Sequence, residues 1–311
     1  MPGVPSRFGQ IQADAFLGAA HDNSPFGKIW YVDGTNGSDG NAGDAPDQAY
    51  ATVAAAISAA VATRGDSVVI APGTYTITSA LAPKAAMTFR AAVVNPRFPS
   101  VSIRGNIAQL LGVDVNYTRW IGIEFRASGT TARQLVRIAN TTAVTGVLFE
   151  DCVFHGADTE TGSHYGGVCG LKAHGQGVTG MVIRRCVFRD LGGTPMGVGV
   201  LGMPYSIIED NLFAIDTNSG TGIRMLATGA VATGKGYVIR NNEFTGFDAT
   251  GSEVGITLAG TEDTEAGGII RNNFFAQLTA AAITANINPK GMVNNYVGDT
   301  GTGGTLVDAG D

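Results

Sequence analysis

One short phrase recurs through the second half of the chain, and its spacing decides the fold. It reads FEDCVF at 149–154, IRRCVF at 183–188, IEDNLF at 208–213, IRNNEF at 239–244, IRNNFF at 270–275 and VNNYV at 293–297. The last residues of successive phrases lie 34, 25, 31, 31 and 22 positions apart. Self-similarity at such periods is typical of repeat architectures. Each interval therefore predicts one structural repeat with a loop of variable length.

A second series of strand-like phrases keeps step with the first. Its members are LVRIAN from Leu135, CGLKAH from Cys169, VGVLG from Val198, TGIRML from Thr221, VGITLA from Val254, AAITAN from Ala281 and TLVDAG from Thr305. The connections lack the two-residue Asn-Gly type turns of hairpins. The two series therefore predict faces of one winding coil whose apolar side is buried by stacking. The expected fold is all-β, a parallel β-helix of roughly ten three-sided coils.

The repeated phrase aligns polar and thiol side chains in one column. Its members are Cys152, Cys186, Asn211, Asn242, Asn273 and Asn295. In stacked parallel strands, each Asn amide can bond to the residues above and below it, which satisfies groups that are costly to bury. We therefore predict a structural Asn ladder at Asn211, Asn242, Asn273 and Asn295. The three cysteines, including Cys169, are expected to be inert core residues.

The two ends of the solenoid lead to different expectations. The segment YATVAAAISAAVATRG places Val53, Ile57 and Val61 on one helical stripe before the first strand, which predicts an N-terminal capping α-helix. The closing sequence GTGGTLVDAGD shows no comparable cap. An exposed strand edge invites pairing with another chain. We therefore expect self-association, as a homotrimer packed along the coil flanks or at the C-terminal tips.

The opening of the predicted solenoid carries a family resemblance. The segments WYVDGTNGSDGNAGDAPDQAYATVAAAISAA and GDSVVIAPGTYTI resemble the first part of pectin-lyase-like right-handed parallel β-helix proteins, and the later NN-F coils fit the same superfamily. The resemblance covers about residues 29–300. It implies a right-handed single-stranded solenoid, with an arm at 1–28, an opening segment and capping helix at 29–66, and the β-helix at 67–311.

Members of this superfamily include secreted polysaccharide lyases, phage tailspike depolymerases and non-enzymatic virion proteins. The arm RFGQIQADAF resembles the lead-in of phage virion proteins, and the N-terminus lacks the apolar core of a secretory signal. The favoured function is thus a structural virion component, capsid-decorating or tail-attached, made in the host cytoplasm and joined to other virion proteins through its arm. Contact with a host surface polysaccharide is left open. A bacterial surface adhesin is disfavoured.

Charge narrows the classes of partner. The chain carries 20 Lys+Arg against 26 Asp+Glu, a net charge of −6, and contains no basic run. Nucleic acid and membrane are therefore not expected partners. This balance favours a protein, or a neutral to cationic glycan, as the partner.

The alternative function is a polysaccharide lyase or glycoside hydrolase of the tailspike depolymerase type. The insertion HGADTETGSHYGG and the strand after it supply Asp158, Glu160, His164 and Lys172. Hydrolysis needs two carboxylates, and a lyase needs a base and a cation that neutralises the uronate. A polar surface loop explains the same residues, and the acidic loop GTEDTEAG reads as a solvated turn. Because no catalytic motif matches residue by residue, we predict no cleavage of common acidic polysaccharides.

Two further sets of residues have a structural and a functional interpretation. Asp33, Asp39 and Asp44 lie in DGTNGSDGNAGD and carry oxygen ligands of the kind Ca²⁺ prefers, without EF-hand spacing. Tight turns use the same residue types, and this interpretation, without any cofactor, is favoured. Trp30 and Trp120 could stack on sugars, but each lies within an apolar strand phrase, which predicts core packing.

Overall fold

The structure is a computed structural model that describes residues 27–95, 98–129, 134–156, 169–173, 177–191, 197–200, 204–215, 221–227, 236–246, 254–260, 268–278, 281–285 and 291–297. Most of the predicted arm and the phrase at Thr305 lie outside these ranges. Among the helices described, none is long and apolar enough to cross a membrane.

Short strands account for most of the described chain. In chain order they are β1 (Ile29–Val32), β2 (Ser67–Ile70), β3 (Gly73–Thr76), β4 (Thr88–Ala91), β5 (Val101–Gly105), β6 (Gln109–Val113), β7 (Arg119–Ile121), β8 (Ile123–Ala127), β9 (Gln134–Ile138), β10 (Val144–Thr145), β11 (Leu148–Glu150), β12 (Val153–His155), β13 (Cys169–Ala173) and β14 (Val178–Thr179). They continue as β15 (Val182–Arg184), β16 (Val187–Arg189), β17 (Val198–Val200), β18 (Ile207–Glu209), β19 (Leu212–Ile215), β20 (Thr221–Ala227), β21 (Val238–Arg240), β22 (Glu243–Gly246), β23 (Val254–Gly260), β24 (Ile269–Arg271), β25 (Phe274–Ala276), β26 (Ala281–Ala285), β27 (Gly291–Val293) and β28 (Tyr296–Val297). The helices are a 3₁₀ turn at Pro46–Gln48 and α1 at Val53–Ala59.

The strands form three long parallel sheets that the chain visits in turn. Sheet 1 has the order β1-β2-β4-β7-β11-β15-β18-β21-β24-β27, and sheet 2 runs β3-β5-β8-β12-β16-β19-β22-β25-β28. Sheet 3 runs β6-β9-β13-β17-β20-β23-β26, and β10 pairs with β14 in a two-stranded sheet. Each strand pairs with the equivalent strand of the next coil, as in the pair β11 and β15. The predicted parallel β-helix is the observed architecture.

Each repeated phrase supplies two of the three faces, because the chain turns a corner inside it. In FEDCVF, Glu150 ends β11 and Val153 begins β12. Asp151 between them has φ of +54°, and Asn241 and Asn272 have φ of +55° and +54° at the same corner. Asn and Asp tolerate this left-handed conformation better than most side chains do. The two adjacent Asn residues of the phrase therefore have different roles, and the first of them forms the corner of the coil.

The second Asn of the phrase points inward and joins a ladder. The side-chain Nδ2 of Asn242 donates to Oδ1 of Asn273 at 3.0 Å, and the backbone N of Asn242 donates to the same oxygen at 3.0 Å. Asn211 makes the same pair of bonds to Asn242, and Asn273 to Asn295. The ladder continues to Cys186, whose backbone N donates to Oδ1 of Asn211 at 2.8 Å. These contacts satisfy amides that are almost fully buried.

A stack of phenylalanine rings fills the core beside the ladder. Phe154, Phe188, Phe213, Phe244 and Phe275 lie in register on sheet 2, each at most 1 % exposed. Their ring centroids are 4.6 to 4.9 Å apart with nearly parallel planes. This spacing equals the distance between hydrogen-bonded strands, so the backbone sets the stacking. Cys152 and Cys186 are buried free thiols, and burial raises the pKa of Cys186 well above its usual range. The Cys169 side chain lies outside what the structure describes.

The α1 helix lies against the first strands. Thr52 caps it by accepting from the backbone N of Ala55 at 3.1 Å, and Val53, Ala56 and Ile57 are buried. The predicted stripe is wrong at Val61, which is 48 % exposed. The helix ends at Ala59 because the next residue is already extended, with ψ of 155°.

Asp66 ties this helix region to sheet 1. Its buried carboxylate accepts from the backbone N of Lys28 at 2.9 Å and of Val61 at 2.9 Å. It also accepts from Nε1 of Trp30 at 3.0 Å and forms a two-bonded pair with Arg64 at 2.6 and 2.7 Å. Burial opposes ionisation of this carboxyl, but these hydrogen bonds lower its pKa to about 2.

Candidate functional site

The outer face of sheet 3 carries a column of register-matched positions with several basic side chains. From one coil to the next, they are Gly112, Arg137, Lys172, Gly199, Arg224, Thr257 and Thr284. Arg137 lies between the buried Val136 and Ile138, and alternation along a strand therefore directs its side chain outward. We call Arg137, Lys172 and Arg224 the cationic column. With a coil rise of ~4.8 Å, its ends are about 14 Å apart.

The cationic column lacks acidic partners within the described chain. No ion pair or side-chain hydrogen bond joins Arg137, Lys172 or Arg224 to a described carboxylate, although all three are partly buried. The Nε of Arg137 is buried without a hydrogen-bond partner there. Desolvated cations without counter-charges raise the energy of the free protein, and an anionic ligand would lower it.

The outer face of sheet 1 pairs two of its arginines with carboxylates. Arg184 lies 2.9 Å from Glu150, and Arg240 lies 2.8 Å from Glu209, each in a neighbouring strand. Acidic and basic residues alternate there over four coils, from Glu150 to Arg240, and Arg271 follows Arg240 in the next coil. The cationic column of sheet 3 differs from these pairs, because no carboxylate stands in register with its cations.

Sheet 2 carries a second charged cluster in the neighbouring coils. Arg104, Arg126, His155 and Arg189 are in register on its outer face. Ser102 Oγ donates to Oε2 of Glu124 at 2.5 Å, while Oε1 of Glu124 lies 2.9 Å from Nδ1 of His155.

The far side of the His155 ring completes this cluster. Its Nε2 lies 2.8 Å from Oδ2 of Asp190. Both ring nitrogens of His155 therefore lie within hydrogen-bond distance of a carboxylate. We call these seven residues of sheet 2 and its edge the Glu124 cluster.

Electrostatics make the Glu124 cluster a poor acid–base pair. Burial opposes ionisation of Glu124, but the hydrogen bonds from His155 and Ser102 lower its pKa to about 2. A carboxyl with this pKa holds no proton to give near neutral pH, and both of its oxygens are already engaged. Burial, and then the nearby charge of Arg104, lower the pKa of Arg126. The cluster is best described as an ion-pair lattice that holds guanidinium groups in position.

Of the four residues predicted from sequence as catalytic candidates, one lies in the described part of the chain and three lie outside it. Lys172 lies in the middle of the cationic column. Asp158, Glu160 and His164 lie outside the described residues. The predicted pairing of these carboxylates with Lys172 therefore stays a prediction.

The predicted Ca²⁺ candidates serve local turns. Asp33 Oδ1 accepts from the backbone N of Thr35 at 2.9 Å and of Asn36 at 3.1 Å, and hydrogen bonds from Asn36 lower the Asp33 pKa. Asp39 accepts from the backbone N and Oγ1 of Thr52, both at 2.9 Å, and thereby braces the α1 N-cap. Asp44 is 3.8 Å from Lys28 Nζ. Among the residues described, no group of three or more His, Cys, Asp or Glu side chains could hold a metal ion.

The two tryptophans are core residues, as predicted. Trp120 is fully buried and stacks on Phe89 with ring centroids 3.9 Å apart. Trp30 is 6 % exposed and donates to Asp66. Neither ring offers a face to a sugar.

Sequence reasoning missed Arg137, Arg224 and the Glu124 cluster. A signal existed, because LVRI, GLKA and GIRM place a basic residue at the same position of three strand phrases. These positions are 35 and 52 residues apart, so a search for basic clusters in the sequence does not find them. Only the strand register shows that they are neighbours.

No protein-family model and no curated protein matches this sequence. Among solved structures, pectate lyase Pel9A superposes with a TM-score of 0.57 and 15 % identity, covering 92 % of this chain and 79 % of that one. The pectin methylesterase from Aspergillus niger gives a TM-score of 0.55 and 13 % identity, covering 93 % of both chains. A pectin methylesterase in complex with a hexasaccharide gives a TM-score of 0.54 and 10 % identity, covering 88 % of this chain and 93 % of that one. At these identities the likeness establishes the right-handed parallel β-helix fold.

Proposed function

We propose that this protein binds an anionic polysaccharide on the outer face of sheet 3, as a non-catalytic β-helix rod. The observation that carries the proposal is the cationic column, in which Arg137, Lys172 and Arg224 lie in register without described acidic partners. Carboxylates or sulfates of a glycan would supply the missing counter-charges along the column.

The local charge matters more here than the net charge. A chain of net charge −6 suggests a neutral or cationic partner, but that average combines the paired charges of sheet 1 with the unpaired ones of sheet 3. A nucleic acid would also present anions. The negative net charge opposes a polyanion of such high charge density, and we therefore favour the glycan.

The non-catalytic assignment is supported by the chemistry of Glu124, the carboxylate at the centre of the Glu124 cluster. Hydrolysis needs one protonated carboxyl beside a second carboxylate. Glu124, which His155 and Ser102 keep ionised with a pKa of about 2, cannot be that acid near neutral pH.

A polysaccharide lyase is the second candidate, and the cationic column itself favours it. A lyase neutralises the uronate carboxylate with cations, and Lys172 with its neighbour Arg137 offers two. The activities of the pectate lyase and pectin methylesterases named above fit this alternative as well as they fit simple binding.

The biological setting follows the sequence resemblance. We propose that the rod is a structural component of a tailed-phage virion, decorating the capsid or attached to the tail. In this proposal the arm at 1–28 joins it to other virion proteins, α1 caps the N-terminal end of the roughly ten coils, and three copies associate. The resemblance of RFGQIQADAF to virion lead-in segments is what supports this setting. Light scattering tests the trimer, and a monomer at micromolar concentration would contradict it.

Calorimetric titration with polygalacturonate tests the binding. We expect Arg137→Gln, Lys172→Gln and Arg224→Gln each to weaken binding about fivefold, since a partly exposed charge contact contributes ~1 kcal/mol. Arg271→Gln is the matched control, because it removes an exposed charge from the outer face of sheet 1. Equal losses in the control and the column variants would contradict the proposal. Release of unsaturated or reducing ends that Lys172→Gln abolishes would favour the enzyme.

A further inference from the structure

A second column lies on the corner between sheet 3 and sheet 1. It contains two tyrosines in the left-handed backbone conformation. The described corner positions from 86 to 236 all have positive φ, and they are Ala86 (62°), Tyr117 (59°), Gly146 (71°), Gly180 (62°), Tyr205 (57°) and Gly236 (68°). The backbone N of Tyr117 donates to the carbonyl of Thr145, and that of Gly180 to Pro204, which links one coil to the next. The positions are thus structurally equivalent.

Tyrosine is an unfavourable choice at such a corner. The left-handed conformation brings Cβ close to the following carbonyl, so glycine suits it far better than a bulky residue. Tyr117 and Tyr205 are also 59 % and 66 % exposed, so neither contributes a buried core side chain. Residues held in unfavourable backbone conformations often serve a function.

The neighbouring coil is adapted to each ring. A Cβ added to Gly146 would lie 2.5 Å from Cδ1 of Tyr117, and one added to Gly236 would lie 3.1 Å from Cδ1 of Tyr205. The Cδ1–Cε1 edge of each ring thus lies against a glycine of the next coil, whose lack of a side chain leaves room for the ring. Gly180, which follows no tyrosine, would have nothing within 4 Å of an added Cβ.

The tyrosines and the cationic column alternate by coil. Tyr117 shares its coil with Gly112, and Tyr205 shares its coil with Gly199. Coils with a cation have glycine at the corner: Arg137 with Gly146, Lys172 with Gly180, and Arg224 with Gly236. Each of these five coils therefore presents either a charge on sheet 3 or an aromatic ring at its edge.

We propose that Tyr117 and Tyr205 are sugar-stacking platforms for the same anionic glycan, which runs along the solenoid axis across these five coils. The proposal rests on the proposed function for the charge of the ligand. The rings are three coil steps apart, about 14 Å at ~4.8 Å per coil. A tyrosine ring presents an apolar face to the C–H face of a pyranose and keeps its hydroxyl in water. The cations would hold the acidic groups while the rings fix the position of the sugars.

Titration of the full-length chain with a long oligogalacturonate and with digalacturonate tests this. We expect Tyr117→Gly and Tyr205→Gly each to weaken binding of the long oligomer at least threefold, with no fall in melting temperature, because glycine relieves the backbone. Digalacturonate is too short to contact both rings at once. Its affinity should therefore not depend on the two tyrosines being present together. Tyr117→Phe and Tyr205→Phe should bind like the wild type.

A matched glycine pair controls for the backbone. Gly146→Ala and Gly180→Ala introduce the same unfavourable φ, but only the first displaces a tyrosine ring, so only Gly146→Ala should weaken binding. A melting temperature that falls in Tyr117→Gly while binding is unchanged would show a structural role and overturn the proposal.

Salt separates this proposal from the proposed function. Losing a ring should weaken binding equally at low and high salt, whereas losing a column charge should matter less at high salt. Wild-type binding to the oligomer without salt dependence, or tighter binding to single-stranded DNA, would overturn the anionic-glycan function. Salt-dependent binding that the tyrosine variants leave intact would overturn only the platforms.

Discussion

Protonation of Asp66 should be a main cause of acid destabilisation at the N-terminal end of the rod. Its carboxylate joins β1, the segment after α1 and Arg64, and its pKa falls from 3.8 to about 2 in the folded chain. Each pKa unit corresponds to ~1.4 kcal/mol, so ionised Asp66 contributes roughly 2 kcal/mol to the free energy of unfolding. Because the folded pKa is the lower one, this stabilisation is complete above about pH 4 and disappears as the pH falls to about 2.

Asp66→Asn should remove both the stabilisation and its pH dependence. The amide presents a donor where the carboxylate accepts from Trp30 and Arg64, so the loss at pH 7 should be about 3 kcal/mol. Urea unfolding of the wild type and the variant between pH 2 and 7 measures the difference directly. We expect that difference to shrink below pH 4.

Asp47→Asn is the control, because Asp47 is exposed in the 3₁₀ turn. It should change the free energy of unfolding by less than ~0.5 kcal/mol at every pH. An Asp66 variant whose deficit stays constant from pH 7 to pH 2 would refute the reasoning, because the contribution would then not depend on the charge.

The remaining predictions concern the core and its corners. Asn242→Ala should cost about 1–3 kcal/mol, because it removes the acceptor of the buried Asn211 backbone N–H and the donor to the carbonyl of Ile208, and chemical denaturation measures this. Asn241→Gly should change the stability by less than ~1 kcal/mol, since its φ of +55° suits glycine, and a large loss would contradict the assigned corner. Phe213→Ala should cost about 3–5 kcal/mol by opening the ring stack, and a loss below ~1 kcal/mol would show that the stack collapses to fill the space.

The sequence predicted the scaffold because the scaffold repeats. The columns that contain Phe213 and Asn242 need the same side chain in successive coils, so the periodicity is visible without a structure. The Val61 error has a local cause, since a helical stripe continues to a residue that the chain has already placed in an extended segment.

The candidate site was harder to predict because it does not repeat. Arg137 and Arg224 are single residues in separate phrases, and they meet only through the strand register. Tyr117 and Tyr205 are equally isolated in the sequence, and their significance depends on a φ value and on the glycine of the next coil. Sequence alone indicated Lys172 through an adjacent polar insertion, without its true neighbours on sheet 3.

The uniform interior implies that whole coils are interchangeable units of length. Asn211, Asn242 and Asn273 are each 31 residues apart and make equivalent bonds, so excising 243–273 would bring Asn242 against Asn295 and leave the Asn column continuous. The outer faces do not share this freedom, since a lost or gained coil between Tyr117 and Arg224 would change every distance along the surface. Related proteins of this fold could therefore gain or lose coils after Arg224. The coils from Tyr117 to Arg224, which carry the cationic column and the two tyrosines, would be kept together.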